Sequence, residues 1–84
     1  MKAPACSVVM PLYNKEREIL TTVPSVLNQT FTDFELLIIN DGSTDLSVQV
    51  VEKFDDPRIS IISQENAGVS AARNTGIRLA QSEL

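Results

Sequence analysis

Two stretches of the chain decide its fold: SVVMPLYN at residues 7–14 and IINDGSTD at residues 38–45. Each is an apolar run that ends abruptly in small polar residues. This pattern is typical of a buried parallel strand that delivers a loop to the carboxyl edge of a sheet. Ligands of open α/β sheets bind at that edge. Two such loops on neighbouring strands therefore predict one wall of a nucleotide pocket.

The rest of the chain continues this alternation of strands and helices. The predicted elements are, in order, a strand at 6–12, a helix at 15–29, a strand at 34–39, a helix between 45 and 55, a strand at 59–62 and a helix at 69–81. This order predicts an α/β fold, a three-layer α/β/α arrangement of the Rossmann-like kind. Its parallel sheet is expected to have right-handed crossovers.

Helical spacing predicts the apolar stripe of each helix. The stripes comprise Ile19, Leu20, Val23, Val26 and Leu27 in the first helix, Leu46, Val50, Val51 and Phe54 in the second, and Val69, Ala72, Gly76, Ile77 and Ala80 in the third. Pro24 interrupts the first stripe and predicts a kink, or two short helices that meet near Thr22. Asn14 is a candidate N-cap of the first helix, and residues 43–45 offer three candidate caps for the second.

Composition bounds the class of protein. The 84 residues are 43% hydrophobic and 21% charged with a net charge of −4, so they indicate one small soluble globular domain, or part of a larger one, rather than a disordered chain. The negative charge argues against a nucleic-acid partner, which requires a basic patch. A phosphate-bearing ligand would need local positive potential from Arg73, a helix N-terminus or a metal ion.

Cysteine, histidine and targeting signals narrow the chemistry further. Cys6 is the single cysteine, so no disulfide forms within the chain, and a small buried hydrophobe is its expected role. The chain has no histidine, which leaves no imidazole base or histidine-ligated metal. We find no signal peptide and no apolar run of the ~18 residues that a membrane helix needs. The expected compartment is cytoplasmic, including the cytoplasmic face of a membrane for the parent protein.

Polar residues at the strand ends are candidates for ligand contacts. Tyr13 can present its ring to a base or sugar, or it can pack against the first helix. Asp41 can accept from a ring N–H or a ribose hydroxyl. The alternative for Asp41 is an Asx turn or a helix cap, which Gly42 and Ser43 favour. Asp45 is predicted to be a cap, because negative charge is favourable in a first helical turn.

A third signal is NAGVSAARNTG at residues 66–76. Gly68 suits a tight turn, and Gly76 costs about 1 kcal/mol relative to alanine inside a helix, which close approach of the helix to the sheet would explain. Arg73 lies along the surface, or pairs with Glu65, or directs its guanidinium at a diphosphate. The chain lacks a G-x-G-x-x-G after its first strand and any P-loop, which disfavours dinucleotide-binding dehydrogenases and P-loop NTPases.

Four motifs together give the chain a specific resemblance. They are SVVMPLYN at 7–14, SVLNQT at 25–30, FELLIINDGSTD at 34–45 and NAGVSAARNTG at 66–76. In this order and spacing they resemble the amino-terminal part of the family 2 inverting glycosyltransferases, over roughly residues 5 to 84. The resemblance implies a GT-A fold with strand order 3-2-1. Residues 1–84 would then be the amino-terminal, nucleotide-sugar-binding part of a glycosyltransferase domain, incomplete at its carboxyl end.

The resemblance also implies site residues. The donor would be a nucleotide-sugar, usually a UDP-sugar. The nucleotide site would comprise Pro11, Tyr13, Asn14, Glu16, Asp41 and Arg73, with Asp41 accepting from the uracil ring. Asn40 departs from the aspartate that the family often has, which leaves the base contact to Asp41.

The same resemblance implies what these residues lack. The chain ends just after a helix, before the strand that carries the family's Asp-x-Asp motif, so it reads as a truncation. We expect the full-length enzyme to bind Mg²⁺ or Mn²⁺, and we expect these residues to bind neither. We also expect this part of the enzyme to contain no catalytic residue and, by itself, to transfer a negligible amount of sugar. The family's fourth strand would lie beside strand one, so its absence predicts self-association through residues 6–11. Two alternatives remain: a non-catalytic nucleotide-binding module, and a structural piece that pairs with another chain.

Overall fold

The computed structural model describes residues 4–80 and confirms the predicted alternation of strands and helices. The elements are β1 (Cys6–Leu12), α1 (Ile19–Leu27), β2 (Phe34–Asp41), α2 (Ser47–Glu52), β3 (Ile59–Gln64) and α3 (Val69–Leu79). None of the helices between residues 4 and 80 is long and apolar enough to cross a membrane.

The three strands form one parallel sheet with β2 in the centre, which confirms the predicted strand order. Leu12 pairs with Asn40, and Asn40 in turn pairs with Ser63. The strands therefore end nearly level with one another, and the three loops that follow them meet at a single edge of the sheet.

Helices cover both faces of β2, which explains its continuous apolar sequence. Leu36 and Ile38 face a core that includes Ile19 and Val23 of α1 and Val51 of α2. Leu37 and Ile39 face the opposite side, against Ala72 of α3, with Val9 beside them. The alternation of side chains along a strand thus builds the three-layer α/β/α architecture.

Helix α1 corrects two predictions. It is a single helix of nine residues that runs through Pro24, rather than a helix over 15–29 or two helices meeting at Thr22. Burial of Ile19 and Val23 against the sheet outweighs the one hydrogen bond that proline removes. Asn14 is not its cap, because α1 begins at Ile19, after a turn at residues 16–18.

The apolar stripes of all three helices are narrower than predicted, and in α1 Leu20 is 58% exposed. Leu46 is 57% exposed, and Val69 and Ile77 are each 53% exposed. In α3 the small residues Ala72 and Gly76 lie against the sheet, so their larger neighbours fall at the margins of the contact. The predicted helix over 69–81 ends at Leu79 with Ala80 extended, and Gln81 lies outside the described residues.

Cys6 is exposed, contrary to the prediction of a buried thiol. It is the first residue of β1, and β1 lies at the edge of the sheet. The exposed thiol thus lies at the start of the strand, and the residues that follow it in β1 are more buried.

The Arg58 side chain links several segments at the end of the sheet where the strands begin. Its guanidinium donates to the carbonyls of Leu27 and Thr32 at 3.3 Å each, pairs with Asp56 at 2.7 Å and lies 4.4 Å from the ring centroid of Phe34. The Arg58 side chain also lowers the pKa of Asp56, chiefly by hydrogen bonding. This single residue ties the end of α1 to the starts of β2 and β3.

Candidate nucleotide-binding site

Three loops follow the three strands at the carboxyl edge of the sheet. We call them loop 1 (residues 13–18), loop 2 (residues 42–46) and loop 3 (residues 65–68). Loop 2 and the end of β2 that leads into it are hydrogen-bonded to both of the other loops. Hydrogen bonds therefore connect all three loops along this edge of the sheet.

Asp41 joins the end of β2 to loop 3. It is 3% exposed. Its Oδ1 accepts from the backbone N–H of Ala67 and from Nε2 of Gln64, both at 2.9 Å, and its Oδ2 accepts from the N–H of Gly68 at 2.9 Å. These donors, Gln64 first, lower the pKa of the Asp41 carboxyl against the opposing effect of burial. The carboxylate therefore stabilises the turn that leads into α3.

Gly42 lets loops 2 and 3 approach closely. Its φ is +74°, a value that side chains rarely adopt, and a Cβ there would lie 2.9 Å from the backbone nitrogen of Asn66. The Asn66 side chain in turn donates through Nδ2 to the Asp41 carbonyl at 2.9 Å. Glycine at this position is thus required by both conformation and space.

Asn14 joins loop 1 to loop 2. Its side-chain Oδ1 accepts from the backbone N–H of Thr44 at 2.8 Å and of Asp45 at 3.3 Å, and its own N–H donates to Oγ of Ser43 at 3.1 Å. The Asn14 side chain therefore accepts from backbone N–H groups, as a cap does, but these groups belong to loop 2 and not to α1.

Asp45 and Ser47 complete the junction between loops 1 and 2. Asp45 accepts from both the N–H and the hydroxyl of Ser47 at the start of α2. The N-cap position itself is Leu46, so the prediction that one of residues 43–45 is the cap was wrong. Its other oxygen accepts from the N–H of Glu16 at 3.4 Å, and the Ser47 hydroxyl accepts from the N–H of Lys15 at 2.9 Å. The Ser47 hydroxyl is the main reason that the pKa of Asp45 is lowered.

The predicted site residues occupy different environments. Tyr13 is 46% exposed at the head of loop 1, and Glu16 enters the junction only through its backbone N–H. Arg73 is exposed on α3 and makes no hydrogen bond or ion pair within residues 4–80, so its predicted pairing with Glu65 is absent there. The structure thus brings Tyr13, Asn14 and Asp41 to one edge and leaves the Arg73 guanidinium available.

A cavity of about 280 Å³ lies elsewhere, between β1 and α1. It is lined by Met10, Pro11, Leu12, Lys15, Glu18, Ile19 and Thr22. Of the predicted site residues only Pro11 contributes to it, and neither Tyr13, Asp41 nor Arg73 does. The carboxyl edge, where the polar groups converge, is therefore the better candidate for nucleotide binding.

The described residues do not offer a metal ion a ligand set. Within residues 4–80 no three acidic, histidine or cysteine side chains are grouped in positions that could hold one. The carboxylate of Asp41 accepts from nitrogen donors on both oxygens, so it is already committed to the turn at loop 3. This part of the chain therefore does not fit a site for Mg²⁺ or Mn²⁺.

The lowered carboxyl pKa values predict how stability depends on pH. Asp41, Asp45 and Asp56 each have a folded-state pKa below the ordinary value. Their stabilisation is fully present above the unfolded-state pKa of about 3.9 and is lost as pH falls through the lower folded-state values. Because the chain has no histidine, the urea midpoint should be flat from about pH 5 to 7 and then fall below about pH 4.

Urea unfolding followed by circular dichroism at a series of pH values checks this expectation. The variant Asp41→Asn keeps the size of the side chain but removes the titrating group, so its midpoint should be lower at pH 7 and decline less steeply in acid. A midpoint of the unmodified chain that is constant from pH 7 down to pH 2.5 would contradict the expectation.

Taken together, a parallel α/β/α sheet with interlinked polar loops at its carboxyl edge defines an open α/β domain of the class that binds ligands at that edge. Comparison with known proteins then identifies the family. The model of glycosyl transferase family 2 matches residues 7–84, so the chain belongs to that family.

Individual relatives agree with this assignment. The chain is 45% identical to the glycosyltransferase GlyA of Streptococcus pneumoniae over 84% of its own length and 10% of that protein. It is 41% identical to the chondroitin synthase of Escherichia coli over 93% of its length and 12% of that protein. The chain thus spans about a tenth of the length of these two relatives.

A solved structure confirms the fold. The mannosyltransferase PcManGT of Pyrobaculum calidifontis, solved in complex with GDP-Man and Mn²⁺, superposes with a TM-score of 0.84 at 23% identity. The superposition covers 95% of this chain and 25% of that enzyme. The predicted family and GT-A fold are confirmed by these comparisons.

Proposed function

We propose that residues 1–84 form the nucleotide-binding part of a glycosyltransferase that uses a nucleotide-sugar donor, a UDP-sugar in the first instance. The interlinked carboxyl edge, in a chain of glycosyl transferase family 2, is the observation that carries this proposal. Relatives named chondroitin synthase and hyaluronan synthase support a role in polysaccharide synthesis. The neighbour solved with GDP-Man and Mn²⁺ supports a nucleotide-sugar donor.

We assign each predicted residue a part in binding the nucleotide. The exposed ring of Tyr13 stacks on the base, and Arg73 interacts with the diphosphate through its exposed guanidinium. Pro11 and Glu16 flank Tyr13 along the chain. Asp41 contributes by holding loop 3, since both of its carboxylate oxygens accept from nitrogen donors there, while Asn14 contributes through loop 1.

The proposed reaction of the whole enzyme is a single displacement with inversion at the sugar. An acceptor hydroxyl attacks the anomeric carbon, the bond to the diphosphate breaks, and UDP leaves. We place the base that takes the hydroxyl proton, and the ligands of any divalent cation, outside residues 4–80. The 84-residue chain alone should therefore not transfer sugar, and transfer above background in a UDP-sugar assay would contradict this.

A second candidate function is self-association without catalysis. β1 pairs with β2 on one side, and no other strand within residues 4–80 pairs with its free side. An unpaired strand edge favours pairing with a second copy. Light scattering should then show a molar mass that increases with concentration, and a monomer at millimolar concentration would exclude this alternative.

Binding of UDP tests the main proposal. We expect the 84-residue chain to bind UDP with a Kd of about 0.1–1 mM, because only one part of a complete donor site is present. Replacing Arg73 by glutamine should weaken binding about tenfold, the effect of losing one charge-assisted contact to phosphate. Isothermal titration calorimetry measures both values.

Arg78→Gln is the matched control. Arg78 is also an exposed arginine of α3, but it donates to the hydroxyl of Thr75 at 3.4 Å. This variant should bind UDP within about twofold of the unmodified chain, since it carries the same change of net charge at a position without a phosphate contact. Equal weakening by both variants would show a diffuse charge effect, and no saturable binding by the unmodified chain would overturn the proposal.

A further inference from the structure

We propose that Asn14 is a positioning residue for the nucleotide site: by fastening loop 1 to loop 2 it holds the ring of Tyr13 in the orientation that stacks on the base. This inference rests on the proposed function. It assigns Asn14 an action through Tyr13 rather than a direct contact with the nucleotide.

The backbone of Asn14 is the first observation. Among the described residues it is the one non-glycine residue with positive φ, at 50°. This left-handed conformation is uncommon for residues with a side chain and is several-fold enriched in asparagine. It occurs immediately after Tyr13, so it sets the direction in which the chain continues from the tyrosine towards loop 2.

The side chain of Asn14 is the second observation. Its amide oxygen accepts from two consecutive backbone N–H groups of loop 2, those of Thr44 at 2.8 Å and Asp45 at 3.3 Å. Its backbone N–H donates to Ser43. A single residue is thus hydrogen-bonded to three successive positions of the facing loop, which leaves loop 1 little freedom to shift against loop 2.

Loop 2 is itself fixed to the sheet. The N–H of Ser43 donates to Oδ1 of Asn40 at 3.1 Å, and Nδ2 of Asn40 donates to the hydroxyl of Ser63 at 3.2 Å. The Ser43 hydroxyl also lies 3.5 Å from the Leu12 carbonyl, as donor to it. Both neighbours of Tyr13 along the chain, Leu12 and Asn14, are therefore bonded to Ser43.

Tyr13 is the side chain that this arrangement presents. The residue is 46% exposed, and its hydroxyl makes no hydrogen bond within residues 4–80. An aromatic ring on a fixed backbone loses less conformational freedom when a base stacks on it than a ring on a mobile loop does. The contribution of Asn14 to nucleotide affinity should therefore depend on the presence of the ring.

Two substitutions at position 14 separate the features of Asn14, and a change of Tyr13 tests the link between the two residues. Asn14→Gly keeps the left-handed backbone but removes the amide oxygen, whereas Asn14→Asp keeps an acceptor oxygen and tolerates the backbone. We expect Asn14→Gly to raise the Kd for UDP about fivefold to tenfold and Asn14→Asp to remain within about twofold. Asn14→Gly combined with Tyr13→Ala should bind no more weakly than Tyr13→Ala alone.

Tyrosine fluorescence provides a readout that needs no nucleotide. The chain has one tyrosine and no tryptophan, so the emission reports Tyr13 alone. Asn14→Gly should lower the fluorescence anisotropy and increase quenching by iodide, and Asn14→Asp should restore both. Circular dichroism during urea unfolding confirms that each variant is folded.

The outcomes distinguish this inference from the proposed function. Absence of UDP binding by the unmodified chain overturns both. Binding by the unmodified chain that Asn14→Gly leaves unchanged overturns the inference alone. An equal loss caused by Asn14→Gly with and without the Tyr13 ring also overturns it, because that result indicates a general structural role.

Discussion

Replacing Ile38 by alanine is expected to lower the free energy of unfolding by about 2–5 kcal/mol, the usual cost of emptying a buried aliphatic site. Ile38 is fully buried at the centre of β2, where it packs in the core shared by β2, α1 and α2. For a chain of 84 residues the total stability is roughly 4–13 kcal/mol. This one substitution therefore removes a large fraction of it.

Ile77→Ala is the matched control, because the chemical change is the same. Ile77 is 53% exposed on α3, and alanine has the higher helix propensity, so the effect should stay within about 0.5 kcal/mol. Urea unfolding at pH 7 measures both variants. Equal losses at the two positions would contradict the position of Ile77 outside the contact between α3 and the sheet.

The contrast between Ile38 and Ile77 also shows what the sequence could predict. The strands were predictable because a run such as residues 36–39 is apolar at every position, which indicates burial on both faces. The stripes of α2 and α3 were only partly predictable. Helical spacing identifies a side of the helix, but whether Leu46 or Ile77 reaches the sheet depends on how close the helix lies, and that distance is a tertiary property.

The loops at the carboxyl edge were likewise only partly predictable from the sequence. The types and positions of Asn14, Asp41 and Asp45 identified them as candidates for capping or binding. Their partners were not predictable, because Asn14 bonds to a loop 30 residues further along the chain and Asp41 to one 26 residues away. The role of Arg58 was missed entirely, since two of its acceptors are backbone carbonyls that no sequence pattern marks.

The close approach of α3 to the sheet at Gly76, which the sequence predicted, leads to the second large effect. Gly76→Ala should destabilise the fold by about 1–3 kcal/mol, which is the typical cost of overpacking, although alanine is the better helix former. A Cβ at position 76 would lie less than 3.0 Å from Cγ1 of Val9 and 3.0 Å and 3.1 Å from its Cγ2 and Cβ. Rotation of the valine would move one methyl group away, but the Val9 Cβ would remain 3.1 Å from the new Cβ. The helix must therefore move away from the sheet.

A double-mutant cycle with Val9→Ala tests this explanation. Val9→Ala alone should lower the free energy of unfolding by about 1–3 kcal/mol, because it leaves a cavity. In combination with Gly76→Ala the new methyl group fills that space, so the two losses of stability should be less than additive by about 1 kcal/mol or more. Asn74→Ala, at an exposed position of the same helix, shows the effect of helix propensity alone and should be neutral or slightly stabilising. Additive losses at positions 9 and 76 would exclude a direct contact. Because α3 carries Arg73 and begins at the turn that Asp41 holds, Gly76→Ala should also weaken UDP binding, and the double variant should recover it together with stability.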